Sequence, residues 1–430
     1  MRPTSTRRAA MLAVGGLIAL AAGCESDSAA PAFTPAPTVA PVIHEEDGVL
    51  RIGVLIPQDS ANADIGDAIG RAVSLAEHQI DDTGGVNGQF IQVLRANESG
   101  GGVGVDPAVA TLLDAGVDAI VGPASSLDAL ASLGEIVDAG VVACSPTASA
   151  GLLDNFPDKG LFFRTIPSDS LQAVAIADQV NLTGATEATV VYIDDDYGQL
   201  FDDAVEAALR GQNIEPSQSV TYTPDNIGIA SAAKQVADKG NHVVVVIGDA
   251  TSGQLMVAAI DSAYPKDPTG VLSPRYVVND AMRRPPTSAQ PMAASLGARI
   301  FGISPVAFSS NVDFLADLGT TADNPSPYAA NAYDCVNLIA LAALAAGGGV
   351  TQPAAIAAQI PSVSASGSPC MTFAECSADL LNASNINYDG PGGRLTIGAN
   401  GDLTDADFDV FGFDEAGRDY SRTIRPATAP

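Results

Sequence analysis

From Val49 onward the chain repeats one unit: a short apolar run, a turn rich in small or hydroxyl residues, then an amphipathic helix. Nothing else in the sequence limits the fold so tightly, because such alternation calls for parallel strands covered on both faces. The unit is clearest between residues 119 and 150. Ala119 to Gly122 is the kind of run a fully buried strand needs. Pro123 to Ser126 breaks it, and Ser125 or Ser126 offers a natural N-cap for the helix that follows. Leu127, Leu130, Leu133, Ile136 and Val137 recur on one face of that helix, and Gly140 ends it. Val141 to Cys144 is the next strand. It opens into a second hydroxyl-rich turn, Ser145-Pro146-Thr147-Ala148-Ser149. Two such turns at the carboxyl ends of adjacent parallel strands form a crevice, where open α/β sheets bind ligands. Free N–H groups at helix starts, with Ser and Thr hydroxyls, suit a carboxylate or other small anion. The plain alternative is that these are ordinary caps on βα loops.

The same rhythm runs on either side. Leu50 to Ile56 is a first strand. Ile65, Ala68, Ile69, Ala72, Val73, Ala76 and Ile80 give the following helix an apolar stripe, and Gly84-Gly85 stops it. Phe90 to Leu94 is predicted as a second strand, and Asp106-Pro107 starts another helix. After Leu161 to Arg164, residues Thr165 to Ser168 are a crossing point into a second lobe. There the alternation restarts, with strands at Thr189 to Ile193, His242 to Ile247 and Tyr276 to Val278. Tyr328 to Ala346 is a long apolar helix, Leu395 to Ile397 a strand, and Phe408 to Phe413 the final strand. The expected division is into two lobes, 48–165 with 281–400 and 166–280 with 401–430.

Charge excludes some partners. The chain has 20 Lys and Arg against 50 Asp and Glu, a net charge of −30. Such a surface repels a phosphate backbone, so no nucleic acid is expected. Of five cysteines, Cys370 and Cys376 lie in a segment flanked by Gly, Ser and Pro and are the expected disulfide. Cys144 and Cys335 fall in apolar elements and are expected as buried thiols, a bridge between them being the alternative. No Cys-x-x-Cys occurs and the three histidines cluster with nothing, so no metal and no cofactor is expected. Ser231-Ala232-Ala233-Lys234 matches Ser-x-x-Lys, but the companion motifs of serine acyl-enzymes are absent, so the chain is not expected to be an enzyme.

Arg2, Arg7 and Arg8 precede the apolar stretch Ala9 to Ala22, the layout of a secretion signal. Leu20-Ala21-Ala22-Gly23-Cys24 resembles the bacterial lipoprotein signal, which implies that Cys24, where the signal segment 1–24 ends, is lipidated and becomes the new N-terminus. Residues 25–47, rich in Ala, Ser and Pro, read as a disordered tether. The expected location is therefore the cell envelope, lipid-anchored and facing the periplasm or the outer side of the cytoplasmic membrane.

Taken together and in order, several pieces resemble the branched-chain amino-acid (Leu/Ile/Val) binding proteins of bacterial ABC transporters, the type I periplasmic binding-protein family. They are I-G-V-L-I-P with the helix after it, I-D-D-T-G-G-V-N-G-Q, V-G-P-A-S-S, S-P-T-A-S, F-R-T-I-P-S-D, I-D-D-D-Y-G-Q and Y-D-G-P-G-G-R-L-T-I-G-A-N-G-D. The resemblance covers about residues 50 to 415. It implies an α/β fold of two Rossmann-like lobes with parallel central sheets, joined by a three-strand hinge that closes over ligand. It implies that Ser126 contacts a ligand carboxylate. The backbone of Ala148 and the hydroxyl of Ser149 would hold the carboxylate and ammonium. Tyr197 would close from the opposite lobe, and Asp280 would pair with the ammonium. The implied function is delivery of a small polar, amino-acid-like ligand to an ABC transporter permease. The alternative is a lipoprotein of the same fold that senses a ligand or regulates an envelope enzyme by protein contact.

Overall fold

The computed structural model describes residues 47–59, 63–98, 104–249, 251–265, 273–283, 291–305, 311–321, 326, 328–347, 351–365, 367–382 and 384–429. Cys24, the signal segment and all of the tether but Asp47 lie outside the described residues.

The first sheet holds β1 (Arg51–Pro57), β2 (Gln92–Glu98), β3 (Ala119–Val121), β4 (Val142–Ser145) and β5 (Phe162–Arg164) in the order β2-β1-β3-β4-β5, all parallel. The helices α1 (Ala63–Asp82), α2 (Asp106–Asp114) and α3 (Ser126–Asp138) connect them. Strands sandwiched between helices have no wet face, so β1 is buried from Ile52 through Pro57. The stripe on α1 is buried from Ala68 to Ile80, with Ile65 at its half-buried edge. Two expectations shift here. The second strand runs from Gln92 rather than Phe90, and Phe90 is exposed. Leu127 is also exposed, in the first turn of α3, while Leu133, Ile136 and Val137 carry the packing.

The second sheet takes β6 (Glu187–Ile193), β7 (Glu215–Tyr222), β8 (Val243–Ile247), β9 (Arg275–Val278) and β10 (Ile300–Pro305), all parallel. Around them run α4 (Asp169–Asn181), α5 (Asp196–Gly211), α6 (Asn226–Lys239), α7 (Ser252–Ala263) and α8 (Ala294–Gly297). After α9 (Val312–Asp317) the chain returns to the first lobe with α10 (Ala329–Ala346), α11 (Pro353–Ala365), β11 (Ser368–Cys370), α12 (Phe373–Leu381) and β12 (Ile386–Tyr388). It ends in β13 (Asp405–Phe413) and β14 (Asp419–Thr428), an antiparallel ladder on the edge of the second sheet, whose order is β14-β13-β10-β9-β8-β6-β7.

Three readings are corrected by this topology. β10 falls in the stretch 281–400 expected in the first lobe, yet its backbone pairs with β9 and β13 in the second sheet. The strand expected at Leu395 to Ile397 reduces to a single bridge between Ile397 and Leu403. Phe413 does not end the sheet, since β14 follows it. Helix α10 has the length and apolar composition to cross a bilayer, but it is packed against α1 and α11 and buried from Ala329 to Ala343. It serves as the core helix of the first lobe.

Both disulfides form. Cys370 bridges Cys376 across the turn into α12, as expected. Cys144 and Cys335 are buried, but they are joined rather than free thiols: α10 lies against β4 and brings their Cα atoms to 5.7 Å.

The chain passes between the sheets three times: after β5, after β10, and between β12 and β13. These passages are laced together. Thr165 Oγ1 donates to the carbonyl of Asn331 at 2.8 Å, and Asn331 Nδ2 donates back to the carbonyl of Thr165 at 2.6 Å. The N–H of Arg164 donates to the carbonyl of Gly401 at 3.0 Å.

Candidate ligand-binding site

On the first lobe the candidate site consists of the two turns after β3 and β4. Gly122 makes the first turn possible. Its φ is +118°, and a Cβ there would sit 2.2 Å from the carbonyl oxygen of Leu55. The N–H groups at the start of α3 were expected to be open to an anion, but most are already occupied. Glu98, at the end of β2 and 1% exposed, accepts from the N–H groups of Ala124 at 2.7 Å and Ser125 at 3.0 Å. Burial pushes this carboxyl up to about 7, against the two N–H donors that favour its anion. Ser125 Oγ caps the N–H groups of Leu127 and Asp128.

The second turn is similarly self-satisfied. Ser145 Oγ donates to the carbonyl of Pro123 at 2.6 Å and accepts from the N–H of Ala148 at 2.9 Å. Ala148 is fully buried, and its carbonyl accepts from Arg164 Nη1 at 3.4 Å. The N–H and the carbonyl of Ala148, the backbone groups to which a ligand role was assigned, thus each have a partner within the first lobe. Ser126 Oγ accepts from the N–H of Ala150 at 3.3 Å, which ties the two turns together across the crevice.

Ser149 connects the lobes. Its carbonyl accepts from the N–H of Asp169 at 2.8 Å, and its hydroxyl lies on the side of the Asp169 carboxyl and favours the anion. Asp169 opens α4 directly after the first crossing and is 7% exposed. One turn further along α4, Gln172 Nε2 donates to Asp280 Oδ1 at 2.9 Å and to the carbonyl of Ile303 at 2.8 Å. Asp280 follows β9, in the position the sequence reading gave it. The adjacent Asn279 donates from Nδ2 to the hydroxyl of Tyr197 at 3.1 Å. Tyr197 stands in the first turn of α5, held by the Asp195 cap on the N–H of Gly198. The turn Gly151–Leu153 of the first lobe meets α5 on the same side.

These groups feel one another's charge. Burial first, then the like charge of Asp280, pushes Asp169 up to about 7. Burial also raises Asp280, against the Gln172 amide and neighbouring backbone N–H groups. The phenols of Tyr197 and Tyr328 are both raised, by burial first and then by Asp280. Tyr328, in a left-handed conformation (φ 60°) just before α10, thus joins the cluster from the side of the last-returning segment. Arg283 lies near Asp280 but is ion-paired with Asp409 and Asp419.

The structure therefore gathers Ser149, Tyr197 and Asp280 around Asp169, with Ser126 in the adjoining turn, and sets Ala148 apart in the core. Asp169, Tyr328 and Glu98 carried no sequence signal of their own. Asp169 reads as an ordinary first-turn acid, although it ends the quoted F-R-T-I-P-S-D stretch. Two carboxylates and two phenols converging between the lobes, with seryl hydroxyls on one wall, form an environment suited to an ammonium group. Two concavities lie elsewhere: about 350 Å³ beside α7 and Phe413, and about 780 Å³ along the outer face of α1.

A family model described as periplasmic binding protein matches residues 49–417. The sequence is 30% identical over 174 residues to an amino acid binding protein of Pseudomonas aeruginosa, covering 38% of this chain and 44% of that one. It is 25% identical over 218 residues to Leu/Ile/Val-binding protein homolog 3 of Brucella melitensis, covering 50% and 58%. The chain thus spans about half the length of the curated relatives it matches. Among solved structures, an ABC transporter substrate-binding protein of Desulfitobacterium hafniense in complex with Leu superposes with a TM-score of 0.64 at 20% identity, covering 86% of this chain and 99% of that one. A solute binding protein of R. palustris in complex with benzoate gives 0.62 at 16%, covering 89% and 98%. The match runs from before β1 to the turn ahead of β14, and the overall fold is similar to these structures: the chain belongs to the periplasmic binding protein family, with the type I fold.

Proposed function

We propose that this protein is a solute-binding lipoprotein of an ABC importer, anchored through Cys24, which binds a small amino-acid-like ligand between its lobes and closes on its hinge. One observation carries the reading: Ser149 of the first lobe and Asp280 and Tyr197 of the second converge on Asp169 at the crossing. Asp169 and Asp280 receive the ligand ammonium, which relieves the repulsion between them. Ser126 and the hydroxyl of Ser149 face its carboxylate. Tyr197 and Tyr328 cover it from the second lobe and from the returning chain. A zwitterion needs partners for both of its charges, because burying either one unpaired is costly. The ligands of the relatives and neighbours, Leu/Ile/Val and benzoate among them, support a small carboxylate as the ligand class. The protein acts by binding and carries out no reaction.

The test is a thermal-shift panel of amino acids, small amides and carboxylates on the full chain. A ligand at a hundredfold over its dissociation constant adds about 2.7 kcal/mol to the folded state, a readily seen rise in Tm. The rise is expected for at least one α-amino acid and is lost in Ser149→Ala and Asp280→Asn. No shift across the panel would overturn transport and favour the role of a protein-binding regulator.

A further inference from the structure

Arg164 ends β5 and is 0% exposed. A guanidinium carries five N–H donors and no acceptor, so a buried one must find partners in every direction. Arg164 finds them in two distant segments. Toward the third crossing, Nε donates to Asp402 Oδ1 at 2.6 Å, and Nη2 lies 2.5 Å from the same oxygen. Toward the loop after β4, Nη2 donates to Asp154 Oδ1 at 2.5 Å, while Nη1 donates to the carbonyls of Ala148 at 3.4 Å and Ala150 at 3.2 Å. That loop carries Ser149. The main chain repeats the first link through the N–H of Arg164 and the carbonyl of Gly401. Gly401 has φ +81°, and a Cβ there would meet the Phe162 carbonyl oxygen at 1.9 Å, so the crossing lies directly on β5.

One side chain thus holds both the loop that carries Ser149 and the segment of the third crossing at Asp402. The planar fork matters, since it reaches two carboxylates and two carbonyls at once in fixed directions. We propose that Arg164 is a positioning residue that makes the loop 145–154 and the third crossing at 398–402 one mechanical body, so that hinge bending is felt at Ser149. The meaning for transport rests on the solute-binding reading, but the coupling itself does not.

Amide hydrogen exchange on the full, unliganded chain tests it. Both segments contain hydrogen-bonded amides to follow, Ala148, Ala150 and Leu153 in the loop and Gly398 and Gly401 in the crossing. Asp402→Asn removes the charge from the crossing arm only, and Asp154→Asn from the loop arm only, so each variant weakens one arm. If Arg164 couples the two, Asp402→Asn speeds exchange in the loop by about tenfold, and Asp154→Asn speeds the crossing by a similar factor, because coupling is reciprocal. Asp261→Asn, which weakens the half-buried pair with Arg299 in the second lobe, leaves both segments unchanged. Arg164→Lys keeps the charge but loses the fork, and it loosens both segments together. The proposal is overturned if each Asp variant loosens only its own segment, or if either accelerates all amides alike. Should Arg164→Lys fail to fold, the two Asp variants decide the matter alone. A failed ligand panel leaves this result untouched, so the two readings fall separately.

Discussion

The two disulfides close loops of very different size, and that difference predicts how much each one stabilises the protein. Cys144 and Cys335 are 191 residues apart in sequence, Cys370 and Cys376 only 6. A cross-link removes entropy from the unfolded chain in proportion to the logarithm of the loop it closes. For the long loop that relation gives about 5 kcal/mol at 25 °C, and for the short one about 2 kcal/mol. Native packing does not reverse the order. Cys144 and Cys335 are 1% and 0% exposed, so replacing them also leaves unfilled space between β4 and α10. The perturbation is a pair of double variants, Cys144→Ala with Cys335→Ala and Cys370→Ala with Cys376→Ala, compared with the oxidised parent. Equilibrium unfolding in guanidinium chloride reads the free energies. The long-loop variant should lose about 3 kcal/mol more than the short-loop variant. If opening the short loop costs as much as opening the long one, or opening the long one costs under about 1 kcal/mol, the entropic argument is refuted for this protein.

Two further outcomes follow from the site. A ligand ammonium needs Asp169 ionised, and burial pushes that carboxyl up to about 7. Affinity for an α-amino acid ligand should therefore rise with pH up to about 7 and fall by up to about tenfold per unit below it. Calorimetric titration across that range checks this, and an affinity indifferent to pH would refute it. The same raised pKa acts oppositely on the unliganded fold. Its stabilising contribution is fully present below the ordinary value of 3.8 and is lost as pH rises through about 7, a trend that Asp169→Asn should flatten in melting scans. At Gly122, where φ is +118° and a Cβ would collide with the Leu55 carbonyl, alanine should cost about 2–3 kcal/mol in urea unfolding. A neutral Gly122→Ala would show that the turn relaxes freely.

Much of the architecture was legible in the sequence because burial on both faces leaves a strong local mark. β1, β3, β4 and β8 read as apolar runs, and the stripe on α1 repeats with the helical period, so their type and order could be assigned residue by residue. Ser125 or Ser126 was visible as a cap, of which Ser125 is the one that caps, and the crossing after Arg164 was visible as a break in the rhythm. β14 was missed because an edge strand with one wet face alternates weakly, and Arg418 to Thr428 reads as polar tail.

The site divides along the same line. The roles of Ser126, Ser149, Tyr197 and Asp280 came from the family resemblance, and the hydroxyl turns themselves could be read from sequence, since each sits at the end of a strand that was already clear. Whether their polar groups were open could not, because that depends on groups distant in the chain. Glu98 fills the amides of α3 from β2, Arg164 and Ser145 engage Ala148, and α4 brings Asp169 between Ser149 and Asp280. The partner of Cys144 was likewise 191 residues away. The sequence by itself determined the elements and their order, because hydrophobic period and turn chemistry act between near neighbours. Only the tertiary structure decided which cysteines meet, which carboxylates face one another and which backbone groups remain to meet a ligand, because those depend on distances that packing sets.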